Sequence, residues 1–341
     1  MLQAAEKLAG PSIESLEVLL DLTYTWGYEE TRQKLRDLYE KAVRGQWIAA
    51  DVLPWTTSVD LEAPLAPDQL MPLYGADIYM KMSEKERVKL NIETFSWTLS
   101  QFMHGEQGAL LAAAQLVDSV KDLDSKLYAA SQVVDEARHV DVYKRYLYEK
   151  VGFTYPVNPH LKTLLDMILK DSRWDMKFLG MQIMVEGLAL AAFAMMRNNT
   201  QEPLIKSLTA YVMGDEARHV AFGVLSLRDY YREQPESVKR EREDFVFEAA
   251  RLMRDRFLFQ EVWEKQGLPV KECMEIAFKA QAQQMFRQML FAKIVPAIKK
   301  CDLLSDRQRQ RFQELGILQF ENWADPLEEE HSPTGAVSAR F

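Results

Sequence analysis

The string Asp135-Glu136-Ala137-Arg138-His139 recurs unchanged as Asp215-Glu216-Ala217-Arg218-His219, 80 positions on (215 − 135). Glu and His three residues apart lie on one face of a helix and point at one place. Each copy also has a glutamate at the same distance upstream: 136 − 106 = 30 for Glu106, and 216 − 186 = 30 for Glu186. A lone Glu-x-x-His is common on helix surfaces, but two copies with matched upstream glutamates constrain the chain far more. Four carboxylates and two imidazoles in this order describe a dinuclear metal site inside a four-helix bundle. Two helices each supply a Glu, and the other two each supply Glu-x-x-His.

The repeat extends past these residues, since Ala109/Ala189, Leu110/Leu190, Ala112/Ala192 and Ala114/Ala194 coincide. Two helical hairpins of one pattern would pack with approximate two-fold symmetry. Roughly 15 residues lie on each side of each turn, at ~1.5 Å rise per residue, so the upstream Glu and the Glu-x-x-His meet at one height.

The rest of the chain agrees with a helical fold. Gly (14) and Pro (13) are sparse, which favours helix. The spacing predicts a first helix from Ser12 or Ser15 to about Trp47, and long stretches over Glu84–Val120, Lys126–Val151, His160–Arg197 and Glu202–Tyr231. Two more follow, Ser237–Gly267 and Val270–Cys301. We expect residues 1–325 to form a single domain, with its bundle core at about 84–232 and flanking helices at 12–50 and 237–315. Residues 326–341 read as a mobile tail.

A net charge of −9 without a basic tract argues against nucleic acid or an anionic membrane as the main partner. The apolar run Met181–Met196 carries Glu186 and is too short to span a bilayer. Cys273 and Cys301 lack metal-ligand spacing and read as thiols of a reducing cytoplasm. The opening residues do not read as a signal peptide.

Carboxylates with one imidazole per ion make a hard, oxygen-rich site that suits iron or manganese. Glu136 and Glu216 are expected to bridge the ions, with Glu106 and Glu186 terminal and His139 and His219 each on one ion. Asp135 and Asp215 would accept the remaining ring N–H of the histidine in the opposite motif. Arg138 and Arg218 would neutralise those aspartates. Tyr143, one turn past His139, is a redox candidate, and the matching position of the second hairpin is Gly223. Phe102, Met103, Met184, Leu190, Phe193 and Phe222 fall near the ligand faces as candidates for an apolar substrate pocket. His104 lies on a different face from Glu106.

On the paired Asp-Glu-Ala-Arg-His and its upstream glutamates, the chain resembles the ferritin-like di-iron carboxylate superfamily, in its ribonucleotide-reductase-like branch, from Glu106 to His219. That resemblance implies an all-α, ferritin-like four-helix bundle with additional flanking helices. It also implies two iron ions or a mixed manganese–iron pair, O2 activation and a homodimer. The six-ligand pattern is similar to that of the multicomponent hydroxylases, whose usual Thr one turn past the third Glu is Leu190 here. The arylamine N-oxygenases carry an extra His one turn before the second Glu-x-x-His, where this chain has Val212. Tyr143 matches the radical tyrosine of the reductase small subunit, although that family's first ligand is usually Asp. The segment Tyr39-Glu40-Lys41 to Gln46-Trp47 is similar to that subunit's first helix, but Trp47 and Trp55 read as packing residues.

The expected function is an O2-activating di-iron oxygenase or oxidase acting on a small, apolar organic substrate. Electrons would come from a partner reductase or ferredoxin, because no Gly-x-Gly-x-x-Gly fingerprint is present. The alternatives are a radical-generating subunit built on Tyr143, or a ferroxidase and iron-handling protein.

Overall fold

The computed structural model describes residues 13–323, and among them no strand occurs. The predicted first helix starts later than expected. Residues 13–32 are irregular, and helix begins at α1, Gln33–Arg44. The backbone of this lead-in finds its partners elsewhere: Thr23 N–H donates to the Asp118 carbonyl, and Thr31 and Arg32 N–H donate to the Asp124 carboxylate. With those bonds made outside a helix, a segment containing three threonines and a glycine gains little from becoming one. Ser12 and the tail expected at 326–341 lie outside the described residues.

Helix α2, Glu84–Ser119, opens with a capping box in which Ser83 and Glu86 satisfy each other's backbone N–H. Helix α3, Leu123–Tyr146, follows at once, capped by Asp122 through the Ser125 N–H. The stretch expected as one helix over His160–Arg197 is two, α4 (Pro159–Lys170) and α5 (Trp174–Asn199). The cause is local. The Asp171 carboxylate accepts from both the backbone N–H and the guanidinium of Arg173 and holds the chain extended there. The buried Lys177 ammonium then donates to the carbonyls of Ile168 and Leu169, capping the end of α4. Burial without a carboxylate in contact brings its pKa down to about 8.

Within α5 the seven residues Leu179–Val185 wind as π-helix, ending where Glu186 begins. Helix α6, Pro203–Arg232, takes Pro203 at its first position and is capped by the Glu202 carboxylate. Helices α2 and α3 pack as one hairpin and α5 and α6 as the other, while α1 lies across α3 and α6. Helix α7, Glu236–Asp255, packs on α4, and the stretch predicted to run on to Gly267 is broken at Phe259, whose φ of 56° is left-handed, and resumes as the short helix Gln260–Lys265. The predicted Val270–Cys301 helix divides into Val270–Lys279, Gln281–Met289 and Ile294–Lys300.

Helix α5 is long and apolar enough to cross a membrane, but 83% of its most apolar window is buried inside the protein. It is the core helix of the bundle.

Candidate metal centre

The matched heights expected of the two hairpins bring Glu106, Glu136, His139, Glu186, Glu216 and His219 together in the bundle, all nearly or fully buried. They form two overlapping clusters, each with donor atoms within 4.8 Å of one another: Glu106, Glu136, His139 and Glu216, and then Glu136, Glu186 and His219. The two imidazole rings are 6.0 Å apart.

The histidine tautomers follow from their partners. His139 Nε2 lies 3.0 Å from Asp215 Oδ2, and His219 Nε2 lies 3.3 Å from Asp135 Oδ2. A carboxylate only accepts, so each Nε2 carries the hydrogen and donates it. Each Nδ1 is then a bare lone pair. His139 Nδ1 faces Glu216 at 3.2 Å and Glu106 and Glu136 at 3.4 Å, and His219 Nδ1 faces Glu136 at 3.1 Å. Acceptors aimed at acceptors in a dry core repel unless a cation sits among them. Ligands about 2.1 Å from one octahedral ion lie about 3 Å from each other, so the spacing suits a metal ion. Six atoms of this cluster are buried with no hydrogen-bond partner: both Nδ1, Glu136 Oε2, Glu186 Oε2 and both oxygens of Glu216. The donor set fits a pair of iron ions.

Metal-free, the same electrostatics appear as displaced pKa values. Burial, reinforced by Glu216 and Glu136, holds Glu106 well above the usual carboxylate range, and burial with Glu136, Glu216 and Glu106 does the same for Glu186. Burial pushes Glu136 upward too, but the histidines on either side outweigh it and leave it low. Burial depresses both histidines, yet their carboxylate partners raise them well above the ordinary value. The site attracts positive charge.

The two motifs are cross-linked. Arg138 pairs with Asp135 and with Asp215 (3.1 Å), and Arg218 pairs with Asp215. Sequence reading missed two further members. Trp47, read as a packing residue, donates its indole N–H to Asp215 at 2.8 Å, and its neighbour Gln46 donates to Asp135 at 2.7 Å. The Arg138 guanidinium covers the Trp47 ring at 4.6 Å. No periodicity marks these residues, because they lie past the end of α1. Trp55 instead donates to the Ala49 carbonyl.

Gln132 was also missed, although it lies one turn before Glu136. Its amide N–H₂ donates to Glu186 at 2.7 Å and to Glu136 at 3.0 Å. The residues expected to form one apolar pocket separate into two groups. Phe102 and Phe193 meet edge to face at 4.7 Å, with Tyr143 about 6 Å from both, whereas Phe222 packs on Tyr128 and Phe178. Met184 and Leu190 are buried in the core and Met103 is half-buried. The Tyr143 hydroxyl is buried without a partner, and burial with Glu106 and Glu216 raises its pKa strongly. His104 contacts the Tyr155 carbonyl at 2.9 Å, away from the cluster.

A family model described as P-aminobenzoate N-oxygenase AurF matches residues 28–302, most of the chain. Among solved structures, an R2-like ligand-binding oxidase with an aerobically reconstituted metal cofactor after photoconversion aligns with 78% of this chain and 92% of its own. The identity is 16% and the TM-score 0.51. A glycine-to-leucine mutant of an R2-like ligand-binding oxidase with an anaerobically reconstituted Mn/Fe cofactor aligns with 81% and 95%, at 17% identity and a TM-score of 0.48. The first of these likenesses shows the ferritin-like helical fold. No curated protein matches the chain. The family match selects among the subfamilies that the motif alone left open, even though the buried Val212 stands where the resemblance to the arylamine N-oxygenases implies a further histidine. The chain is an O2-activating di-iron oxidoreductase and belongs to the p-aminobenzoate N-oxygenase AurF family.

Proposed function

We propose that this protein transfers an oxygen atom from O2 to the nitrogen of an aromatic amine. Glu106, Glu136, His139 and Glu216 would hold one iron, and Glu136, Glu186 and His219 would hold the other, with a Glu216 oxygen 3.8 Å from His219 Nδ1. The observation that carries this reading is the pair of bare imidazole nitrogens facing buried carboxylates, in a chain whose family is that of an N-oxygenase.

Bound iron supplies the reduction of O2 and the delivery of one oxygen atom. Asp135 and Asp215 hold the imidazoles in the tautomer that leaves Nδ1 free. Gln132 fixes the oxygens of Glu136 and Glu186 that it touches, leaving Oε2 of each for a cation. Phe102, Phe193 and Tyr143 exclude water from the first position. The first oxygenation consumes the amine, O2, two electrons and two protons, and yields a hydroxylamine and water. The electrons come from a partner reductase or ferredoxin, and the chain works as a cytoplasmic homodimer.

A second reading, a radical-generating subunit, draws on the unpartnered Tyr143 hydroxyl beside Glu106 and Glu216. One experiment separates the two. The protein is loaded anaerobically with iron(II) and exposed to ¹⁸O2 with 4-aminobenzoate. Product carrying ¹⁸O on nitrogen, still formed by Tyr143→Phe, supports N-oxygenation. A persistent tyrosyl radical signal lost in Tyr143→Phe, with no labelled product, replaces it with the second reading.

A further inference from the structure

One end of the bundle is open. A cavity of about 290 Å³ lies there, with Arg32, Ser125, Trp174, Phe178, Ser226 and Tyr230 among its walls. Three helices run from this cavity to the metal centre, each carrying a buried column of side chains on one face. On α3 the column is Ser125, Tyr128, Gln132 and Glu136, on α5 it is Phe178, Gln182 and Glu186, and on α6 it is Ser226, Phe222 and His219. Spacings of three and four keep each column on its face. Behind the cavity floor, Phe222 meets Phe178 at 4.7 Å and Tyr128 at 4.4 Å, so three aromatic rings separate the cavity from the metals.

Inside this plug, the amide orientations follow one from another. The carboxylates of Glu136 and Glu186 accept from Gln132, so its N–H₂ points at the metals and its oxygen points away. That oxygen accepts from Gln182 Nε2 at 3.4 Å, which turns the Gln182 oxygen away from Gln132. Gln182 Oε1 is buried and has no partner, and the Tyr128 and Ser226 hydroxyls are in the same condition. Unpaired polar atoms in a dry core are costly, and three along one passage call for a ligand with its own donors and acceptors.

We propose that this cavity is the mouth of a passage to the second metal position, and that Gln182 accepts a hydrogen bond from the N–H of the bound amine. This rests on the N-oxygenase reading. Gln182 lies about one turn from Glu186 and Ser226 about two turns from His219, so both stand on the cavity side of the cluster and Gln182 is the nearer. An amine held at Gln182 directs the far end of its ring toward the cavity and the Ser226 hydroxyl. Phe178 and Phe222 swing aside to admit it.

The test compares 4-aminobenzoate with 4-methylbenzoate, which has the same shape without N–H donors. Both are titrated calorimetrically into iron(II)-loaded protein without O2. The native protein is expected to prefer the amine by about tenfold or more. Gln182→Met, nearly equal in volume, is expected to abolish that preference while leaving affinity for the methyl compound nearly unchanged; a merely structural role would weaken both alike. Ser226→Phe, read by stopped flow, is expected to slow association of both compounds by about tenfold, and it carries the test if Gln182→Met does not retain its iron. A preference that survives in iron-replete Gln182→Met, or association unaffected by Ser226→Phe, overturns the passage. If the native protein N-oxygenates arylamines while either result holds, only the passage falls. If it neither binds nor oxygenates any arylamine, the functional reading fails as well.

Discussion

The two hairpins repeat one set of ligand letters within different surroundings. Helix α2 stays α-helical through Glu106, whereas α5 winds as π-helix up to Glu186. Stepping 80 residues from one hairpin to the other, Gln132 becomes Val212, Gln182 corresponds to Phe102, and Tyr143 becomes Gly223. The amides gather beside Glu136 and Glu186, and Phe102 lies one turn before Glu106. At Gly223 a side chain is barred, because a Cβ there would come within 2.7 Å of Gln182 Cβ. The helices of the second hairpin therefore approach too closely at this level to admit the phenol that the first hairpin carries. Duplicated donors thus need not give equivalent ions, because the surrounding side chains can differ.

The largest test of this asymmetry removes donors singly. Glu136→Ala takes away a donor common to both clusters, and iron bound per chain, read by metal analysis, is expected to fall nearly to zero. Glu186→Ala is expected to empty only the second position and halve the iron. Equal losses would show that the positions are not separable in this way.

A second comparison sets the two aspartates against each other. Asp215 accepts from Trp47, His139, Arg138 and Arg218, and Asp135 from Gln46, His219 and Arg138. Removing one partner from a buried charge network costs about 3–5 kcal/mol. Asp215→Ala is expected near the top of that range and Asp135→Ala near the bottom, measured by urea unfolding of the metal-free protein.

The smallest effect concerns pH. In the metal-free fold Glu106 and Glu186 bind their protons more tightly than ordinary glutamates (4.5), and His139 and His219 more tightly than ordinary histidines (6.5). Their contribution is complete below those ordinary values and is lost as pH rises through the raised ones. Glu136 and Asp215, depressed, act with the opposite sign and lose their contribution only in strong acid. Chelated protein is expected to melt at a lower temperature at about pH 8 than at about pH 6, with a smaller difference once iron is bound. A melting temperature independent of pH would place the protons elsewhere.

How much of this was readable in the sequence depended on whether a residue repeats. The six metal-facing residues and the crossing of each aspartate to the opposite histidine follow from helical spacing and the 80-residue repeat. So does the bundle. The irregular lead-in did not follow, because its partners, Asp118 and Asp124, lie about a hundred positions away. The break at Asp171 was written in a short Asp-Ser-Arg turn that apolar periodicity on either side concealed. Gln132 and Gln182 were within reach, each one turn before a glutamate of the site, but an amide becomes meaningful only when its acceptor is known.

Gln46 and Trp47 are consecutive, yet the first grips an aspartate of one hairpin and the second an aspartate of the other. One peptide unit therefore acts as a cross-brace between the two halves, beside the Phe102–Phe193 and Tyr128–Phe222 ring contacts that also join them. The two aspartates that orient the imidazoles are thereby held from outside the bundle as well as from within it. A change at this brace would loosen the partners of both imidazoles without touching any of the six clustered side chains.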